Sequence, residues 1–262
     1  MKQLQYKDIS ILKMSVTPFI HYMKIHLYYV DDFLIDVGPG AQKWQVRRAL
    51  RHVNNFQAAI THHHTDHAGL ASWMEQKYGI EVFCDPTAPV LAKEKENFSL
   101  FKKTFTGAGK PFLGKPFPDV IETANYHFYP ISTPGHTTDH VCLFEPDQGW
   151  LFTGDLYITP YPKVFLEEES IKEYIASLEY LQTLDYQTIF CAHSGVVEDG
   201  KNMMGKKLAY LKRIQKEVSR LHELGESDKA IRAKIFPEKV KLELISLGQF
   251  SRLNLIRSCY QE

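Results

Sequence analysis

The segment HHHTDH, residues 62–67, decides the fold of this 262-residue chain. It directly follows the short apolar run AAIT, which is typical of a buried β-strand. Alternate side chains of a strand point to the same face, so His62 and His64 are expected to lie side by side. Asp66 and His67 stand at the turn into the next helix, where the chain bends round. The segment therefore predicts four polar side chains around one point, of the types that bind Zn²⁺, Fe²⁺ or Mn²⁺.

Three further segments place a polar side chain and a glycine directly after a strand-like run. They are TPGH at 133–136, FTGD at 152–155 and CAHSG at 191–195. Glycine near each polar residue lets the backbone approach a crowded centre closely. A single histidine of this kind would more often be a core or surface residue, but the repeated pattern favours a shared site. His136, Asp155 and His193 are therefore expected to join the same cluster.

The order HxHxDH, TPGH, TGD and a last strand-end histidine resembles the metallo-β-lactamase superfamily over about residues 20–200. The segments TPGHTTDHVCLFEPDQGWLFTGDLYI and CAHSG are similar to sequences of its glyoxalase-II and lactamase-β-2-like branch. The resemblance implies an α/β fold, the αββα sandwich of that superfamily. Residues 201–224 carry leucine, isoleucine and valine at spacings of three and four, which predicts a C-terminal helical extension.

The resemblance also implies a ligand set for two divalent metal ions, with Zn²⁺ expected and Fe or Mn as alternatives. The first ion takes His62, His64 and His136; the second takes Asp66, His67 and His193; Asp155 bridges the two. Asp36 matches an earlier aspartate that hydrogen-bonds the ligand loops. Asp66 and Tyr157 are the candidate catalytic residues. Tyr157 follows Asp155 by two positions rather than the three expected for a lactonase, and Tyr161 is a comparable candidate.

Such a centre predicts hydrolysis of a small thioester, ester or lactone by a metal-bound hydroxide. No serine or cysteine lies in a nucleophile-elbow setting. Three alternatives stay open: a phosphodiesterase or nuclease, a mononuclear iron persulfide dioxygenase, and a metal-bearing binding protein without catalysis. The spacing between His136 and Asp155 leaves no room for a large nuclease insertion at that point.

The amino-acid composition limits the classes of binding partner that this chain is expected to have. Lys plus Arg and Asp plus Glu both number 31, so the net charge is zero, which argues against nucleic acid as a partner. No run of 18 apolar residues occurs, so no membrane partner is expected. The four cysteines match no CxxC pattern and are expected to be reduced thiols, which favours a cytoplasmic location. The expected partner is a small-molecule substrate, and the oligomeric state is open.

The secondary structure predicted from the sequence changes after Gly195, from strands with interspersed helices to mainly helices. We therefore expect a metallo-β-lactamase domain at 1–200 and a helical subdomain at 201–262 packed on it. The lysines and arginines of 201–224, which include Lys206, Lys207, Lys212, Arg213, Lys216 and Arg220, are expected to form its solvated face. The alternative is contact with an anionic substrate, such as a thiol conjugate with a carboxylate or a phosphate.

Several local features carry expectations of their own. A helix is expected over 41–53, with Trp44, Val46, Leu50 and Val53 on one broad apolar face. His26 is expected at the surface. The Gly/Pro-rich segment 107–118, with Phe112 and Phe117 inside it and Phe105 just before it, has two interpretations: a flap that faces the substrate, or a surface loop whose phenylalanines pack on the body.

Overall fold

The computed structural model describes residues 1–16, 23–53, 55–94 and 109–260. The strands are β1 Lys2–Tyr6, β2 Ile9–Val16, β3 Met23–Val30, β4 Phe33–Ile35, β5 Gln57–Ala59, β6 Val82–Cys84, β7 Lys115–Pro116, β8 Ile121–Glu122, β9 His127–Ser132, β10 Val141–Glu145, β11 Trp150–Gly154, β12 Thr188–Cys191 and β13 Gly195–Val197. The α-helices are α1 Lys43–Ala49, α2 Thr65–Ala68, α3 Ala71–Tyr78, α4 Ala88–Glu94, α5 Ile171–Gln182, α6 Gly200–Glu223, α7 Asp228–Ile235, α8 Lys241–Ile245 and α9 Arg252–Ser258.

The strands form two mixed sheets. The first has seven strands in the order β1 to β7, antiparallel through β4 and parallel from β4 to β7. The second has six strands in the order β13-β12-β11-β10-β9-β8, in which only β11 and β12 pair in parallel. Parallel pairs need a crossover, and α5 supplies the one between β11 and β12.

Aromatic side chains from both sheets share one core cluster. Phe152 of β11 stacks on Phe190 of β12 with ring centroids 4.5 Å apart. Tyr28 of β3, from the other sheet, packs edge-on against both rings at 5.5 and 5.4 Å. This arrangement suits the ring quadrupoles, and it joins the two sheets into a sandwich.

Helices cover both outer faces of the sandwich. Val46 of α1 and Met74 of α3 belong to a core cluster with the first sheet, and Leu178 of α5 and Leu211 of α6 belong to one with the second. The αββα sandwich with C-terminal helices is therefore confirmed. α6 begins at Gly200, at the boundary expected between 1–200 and 201–262, and the division into two units stays a prediction.

Two surface assignments from sequence are wrong. Trp44 is 74% exposed, whereas Val46 and Leu50 are buried. Trp44 precedes Val46 by two positions, so its side chain points about 200° away from that of Val46 around the helix axis. His26 is buried, at 4% exposure, because the loop after β12 crosses over β3. Its backbone N–H donates to Ala192 O at 2.7 Å, and its Nδ1 lies 3.1 Å from the same oxygen.

The described part of segment 107–118 packs on the body. Phe112 is buried in the core cluster that contains Cys84. Phe117 stacks on Phe83 with ring centroids 6.5 Å apart. The surface-loop interpretation is therefore confirmed for these two rings, whereas Phe105 lies outside the described residues.

Phe112→Ala is expected to lower the free energy of unfolding by about 3 kcal/mol, because it leaves a cavity in a packed core. KM for any substrate should stay unchanged, since Phe112 does not line the cavity beside the histidine and aspartate clusters described below. Urea denaturation and steady-state kinetics measure the two quantities. Leu113→Ala, at an 86% exposed neighbour, is the control and should change stability by less than about 0.5 kcal/mol. A raised KM at unchanged stability would contradict the packing role.

All four cysteines are free and buried, as expected for reduced thiols. Burial raises the pKa of Cys84, Cys142 and Cys259 to about 12, so these three thiols stay protonated. Within the described residues, a search for helices long and apolar enough to cross a bilayer finds none.

Candidate metal centre

Four strand ends carry the side chains that the sequence analysis singled out. β5 of the first sheet runs into residues 62–67, and β9, β11 and β12 of the second run into His136, Asp155 and His193. The backbone N–H of Val141 donates to Thr61 O at 2.8 Å and so ties the second sheet to the chain after β5. The sandwich thus brings segments up to 131 positions apart to one edge.

The first cluster consists of His62, His64 and His136, whose ring nitrogens lie within 4.8 Å of one another. His64 Nδ1 and His136 Nε2 are 3.0 Å apart. All three side chains are buried. Burial lowers the pKa of His62 well below its usual range, and the neighbouring His67 adds to the effect. Its neutral imidazole is therefore available as a ligand at neutral pH.

The second cluster consists of Asp66, His67, Asp155 and His193. Asp155 Oδ1 lies 3.1 Å from His193 Nε2 and 3.4 Å from His67 Nε2, and its Oδ2 lies 3.5 Å from His136 Nε2. Burial opposes its ionisation, but His193 and His67 hold the pKa of Asp155 well below its usual range. An ionised carboxylate therefore stands between the two clusters.

Buried carboxylates hold the ligand rings in place. Asp36 accepts hydrogen bonds from His67 Nδ1 at 2.7 Å and from Thr61 N at 2.8 Å. Glu169 Oε1 accepts from His136 Nδ1 at 2.9 Å. When Nδ1 carries the proton, Nε2 of the same ring keeps its lone pair for a metal ion. The expected role of Asp36 in fixing the ligand loops agrees with these contacts.

The donor set fits divalent metal ions. Within the described residues, His62 Nε2, His67 Nε2 and Asp155 Oδ1 are buried without a hydrogen-bond partner. Buried polar atoms without a partner are costly, and metal coordination would satisfy all three. Imidazole and carboxylate donors at this density suit Zn²⁺, Fe²⁺ or Mn²⁺.

Two further histidines near the clusters have structural partners. His63 is buried, and its Nδ1 lies 2.9 Å from Asp139 Oδ1 while its backbone N–H donates to Asp139 Oδ2 at 2.8 Å. His140 Nδ1 lies 2.9 Å from Thr133 Oγ1, a contact between two buried side chains. Burial lowers the pKa of His140 to about 3, so this ring is neutral.

A cavity of about 590 Å³ opens beside the clusters. The polar part of its wall includes residues of both clusters, among them His136 of the first and Asp66 of the second. The apolar part of its wall is formed by Met23, Ile158, Val164, Phe165, Leu166, Leu242 and Phe250. A cavity of this size and lining suits a small molecule with an apolar portion.

The two tyrosine candidates do not line this cavity. Tyr157 is a buried member of the core cluster under α5 and α6. Its carbonyl oxygen accepts a hydrogen bond from the Cys191 thiol. Tyr161 is half exposed and packs edge-on against Tyr210 with centroids 5.5 Å apart. The catalytic role of Tyr157 stays a prediction from sequence.

Tyr157→Phe is expected to change kcat/KM less than about threefold, because a hydroxyl that does not reach the reacting atoms contributes little to transition-state binding. Steady-state kinetics on metal-loaded protein measure this. Tyr161→Phe is the matched control at the exposed position. A loss above about tenfold in Tyr157→Phe alone would restore the catalytic role predicted for its hydroxyl.

Sequence reasoning missed four residues at this site. Asp139, Glu168 and Glu169 gave no signal, since each meets its histidine only through the fold. Lys207 was assigned to the solvated face, and that assignment is wrong, because Lys207 is buried and only 2% exposed. The periodicity contained the signal: Lys207 falls between Met204 and Leu211, at spacings of three and four on the buried stripe of α6.

Comparison with known proteins agrees with this αββα architecture and its cluster. The sequence model of the family described as "Metallo-beta-lactamase superfamily" matches residues 31–193. Hydroxyacylglutathione hydrolase of Legionella pneumophila (strain Lens) is 29% identical over 168 residues, 63% of this chain and 59% of that protein. The protein of the same name from Idiomarina loihiensis is 31% identical over 169 residues, 62% of this chain and 56% of that protein. The matches thus span less than two thirds of these relatives.

Solved structures show the same fold at low identity. A metallo-beta-lactamase family protein from Thermus thermophilus superposes with a TM-score of 0.70 at 18% identity, covering 97% of this chain and 91% of that one. A beta-lactamase domain protein from Burkholderia ambifaria gives 0.71 at 14% identity, covering 97% and 87%. The chain belongs to the metallo-beta-lactamase superfamily and has glyoxalase-II homologues within it.

Proposed function

We propose that this protein is a hydrolase that uses two divalent metal ions to cleave a small thioester or ester. One observation carries the proposal: seven histidine and aspartate side chains meet in two adjoining clusters at the polar end of a largely apolar cavity. Zn²⁺ is the proposed metal, because imidazole and carboxylate donors suit it well, and Fe or Mn are the alternatives. We propose His62, His64 and His136 for one ion, Asp66, His67 and His193 for the other, and Asp155 for both.

The relatives support a carbonyl substrate. The two relatives described above are named hydroxyacylglutathione hydrolases, a name that describes hydrolysis of a thioester. The apolar wall provided by Phe165, Leu242 and Phe250 also suits a carbon chain. A lactone stays within the proposal, since its ring-opening is the same acyl transfer to water.

The residues of the chain have distinct tasks in this proposal. Two divalent ions held by the histidines and aspartates of the two clusters would supply an activated water at neutral pH and would polarise the scissile carbonyl. Asp66 lines the cavity, and although burial opposes its ionisation, His67 and then His193 lower its pKa, so its carboxylate can accept a proton from water. Glu169 holds His136 in its ligand orientation. The apolar wall excludes bulk water and strengthens these electrostatic interactions.

A substrate panel tests the proposal on protein purified without chelator. Elemental analysis should give close to two equivalents of metal per chain, and acyl thioesters should be hydrolysed faster than phosphodiesters. Removal of the metal with a chelator should abolish turnover, and adding back one kind of divalent metal ion should restore it. Faster cleavage of bis-p-nitrophenyl phosphate would favour the phosphodiesterase, and sulfite formation from a persulfide would favour the dioxygenase. Full metal content without turnover of any panel member would favour a binding protein.

A further inference from the structure

A buried lysine lies in the wall of the cavity beside the metal centre. Lys207 belongs to α6, and its side chain lines the cavity together with Tyr174 and Glu169 of the α5 region. Its Nζ donates a hydrogen bond to the carbonyl of Leu156, the residue that follows Asp155. The same nitrogen lies 4.4 Å from the centroid of the Tyr174 ring. The ammonium is thus held rigidly beside the proposed reaction site.

No carboxylate neutralises this ammonium within the part of the chain that the structure describes. The ion pairs found there within 4.0 Å do not include Lys207. Glu169 is already committed, since its oxygens accept from His136 Nδ1, from Tyr174 Oη at 2.8 Å and from Leu166 N at 2.6 Å. Asp155 faces the histidines of both clusters.

A buried cation without a counter-charge is costly. Burial lowers the pKa of Lys207 to about 8, although Glu169 and Asp155 pull in the other direction. At neutral pH the ammonium is therefore mostly charged but poorly compensated. A carbonyl and an aromatic ring occupy only part of its capacity, since an ammonium has three N–H donors. An anion that enters the cavity would supply the missing partner in a low-dielectric setting, where such a bond is strong.

The other lining cations differ from Lys207. Lys163 is half exposed and already pairs with Glu238 at 2.7 Å. Lys24 is exposed at the rim. Both stand in water, where an added ion pair contributes little. Among the described residues, the cavity thus combines an apolar wall with a buried ammonium, that of Lys207, close to the two clusters.

We propose that Lys207 binds a carboxylate of the substrate, so that the preferred substrates are small thioesters or esters with a carboxylate a short carbon chain away from the scissile bond. This inference rests on the proposed function for the position of the scissile bond. The carboxylate can belong to the acyl group or to the thiol, and the chemistry that Lys207 recognises is the same in both.

The first test measures binding by calorimetry on metal-loaded protein, without turnover. Glutarate should bind at least about tenfold more tightly than butyrate, because only glutarate has a second carboxylate for Lys207. Lys207→Met should reduce this ratio to below about twofold. Lys207→Arg should preserve part of it. Lys206→Met, at the exposed neighbour on the same helix, should leave the ratio unchanged. Equal affinities in the wild type, or an unchanged ratio in Lys207→Met, would overturn the inference.

The second test uses three thioesters: butyryl and glutaryl thioesters of N-acetylcysteamine, and the butyryl thioester of 3-mercaptopropionate. Whichever carboxylate source is correct should raise kcat/KM about tenfold or more over the neutral compound, and Lys207→Met should remove that advantage. An equal loss on all three substrates would overturn carboxylate recognition. If no thioester is hydrolysed but the glutarate preference depends on Lys207, the proposed function fails and the carboxylate site stands.

Thermal unfolding of each variant separates recognition from folding. Replacing a buried, uncompensated cation by an apolar side chain of similar volume is often neutral or stabilising, so Lys207→Met should keep its Tm. Metal content should also stay at the wild-type value, because Lys207 is not among the proposed ligands. The proposal is supported if Lys207→Met is folded and metal-loaded but binds glutarate no more tightly than butyrate.

Discussion

Asp155→Ala should leave no more than one metal ion per chain and reduce kcat/KM by about a thousandfold or more, equivalent to about 4 kcal/mol of activation free energy. Asp155 is the side chain whose two oxygens face both clusters, at 3.1 Å from His193 Nε2 and 3.5 Å from His136 Nε2. Its removal leaves the histidines without the carboxylate that balances two divalent charges. Elemental analysis and steady-state kinetics measure the two effects.

The matched control is Asp139→Ala, which removes another buried aspartate close by. Asp139 pairs with His63 and belongs to neither of the two main clusters. We expect this variant to lose stability but to keep two metal ions per chain. Two ions retained in Asp155→Ala would refute the bridging role, and equal metal loss in both variants would point to general damage at this edge of the sandwich.

Asp36→Ala should weaken metal binding by about ten- to a hundredfold and lower the stability of the metal-free protein by about 3 kcal/mol. The buried carboxylate accepts from His67 Nδ1 and from both the backbone N–H and the hydroxyl of Thr61. Without it, the Thr61 N–H has no acceptor and the His67 ring is free to rotate. Competition with a chelator measures metal affinity, and urea denaturation measures stability.

Two variants separate these hydrogen bonds from backbone strain. Asp36 has a φ of 59°, which alanine adopts at a cost. Asp32→Ala has the same problem, at φ 63°, on an exposed turn away from the metal clusters. It should lose the strain contribution and one exposed hydrogen bond from the Tyr29 hydroxyl, and it should keep full metal affinity. Asp36→Asn should retain the acceptor for Thr61 but present an amide to His67. Wild-type metal affinity in Asp36→Ala would refute the positioning role.

The C-terminal helices illustrate how far periodicity reaches. The spacing of three and four in residues 201–224 identified the helix that the structure shows as α6. Ser227 caps the next helix, since its hydroxyl accepts a hydrogen bond from Ala230 N. The same periodicity placed Lys207 on the buried stripe, but its residue type suggested solvent. A charged residue type predicts exposure to solvent, whereas the position of Lys207 on the helix predicts burial. The packing of α6 on the second sheet buries this position.

The sequence by itself determined the superfamily, the αββα class and the residues proposed as metal ligands, because each ligand follows a strand within a short segment of recognisable order. The tertiary structure alone decided which side chains support those ligands. Glu169 meets His136, Asp139 meets His63, and Ala192 O covers His26 only after the two sheets have packed. Local patterns encode strand ends and helix faces, whereas a partner from a distant segment is specified by packing, which no local pattern records.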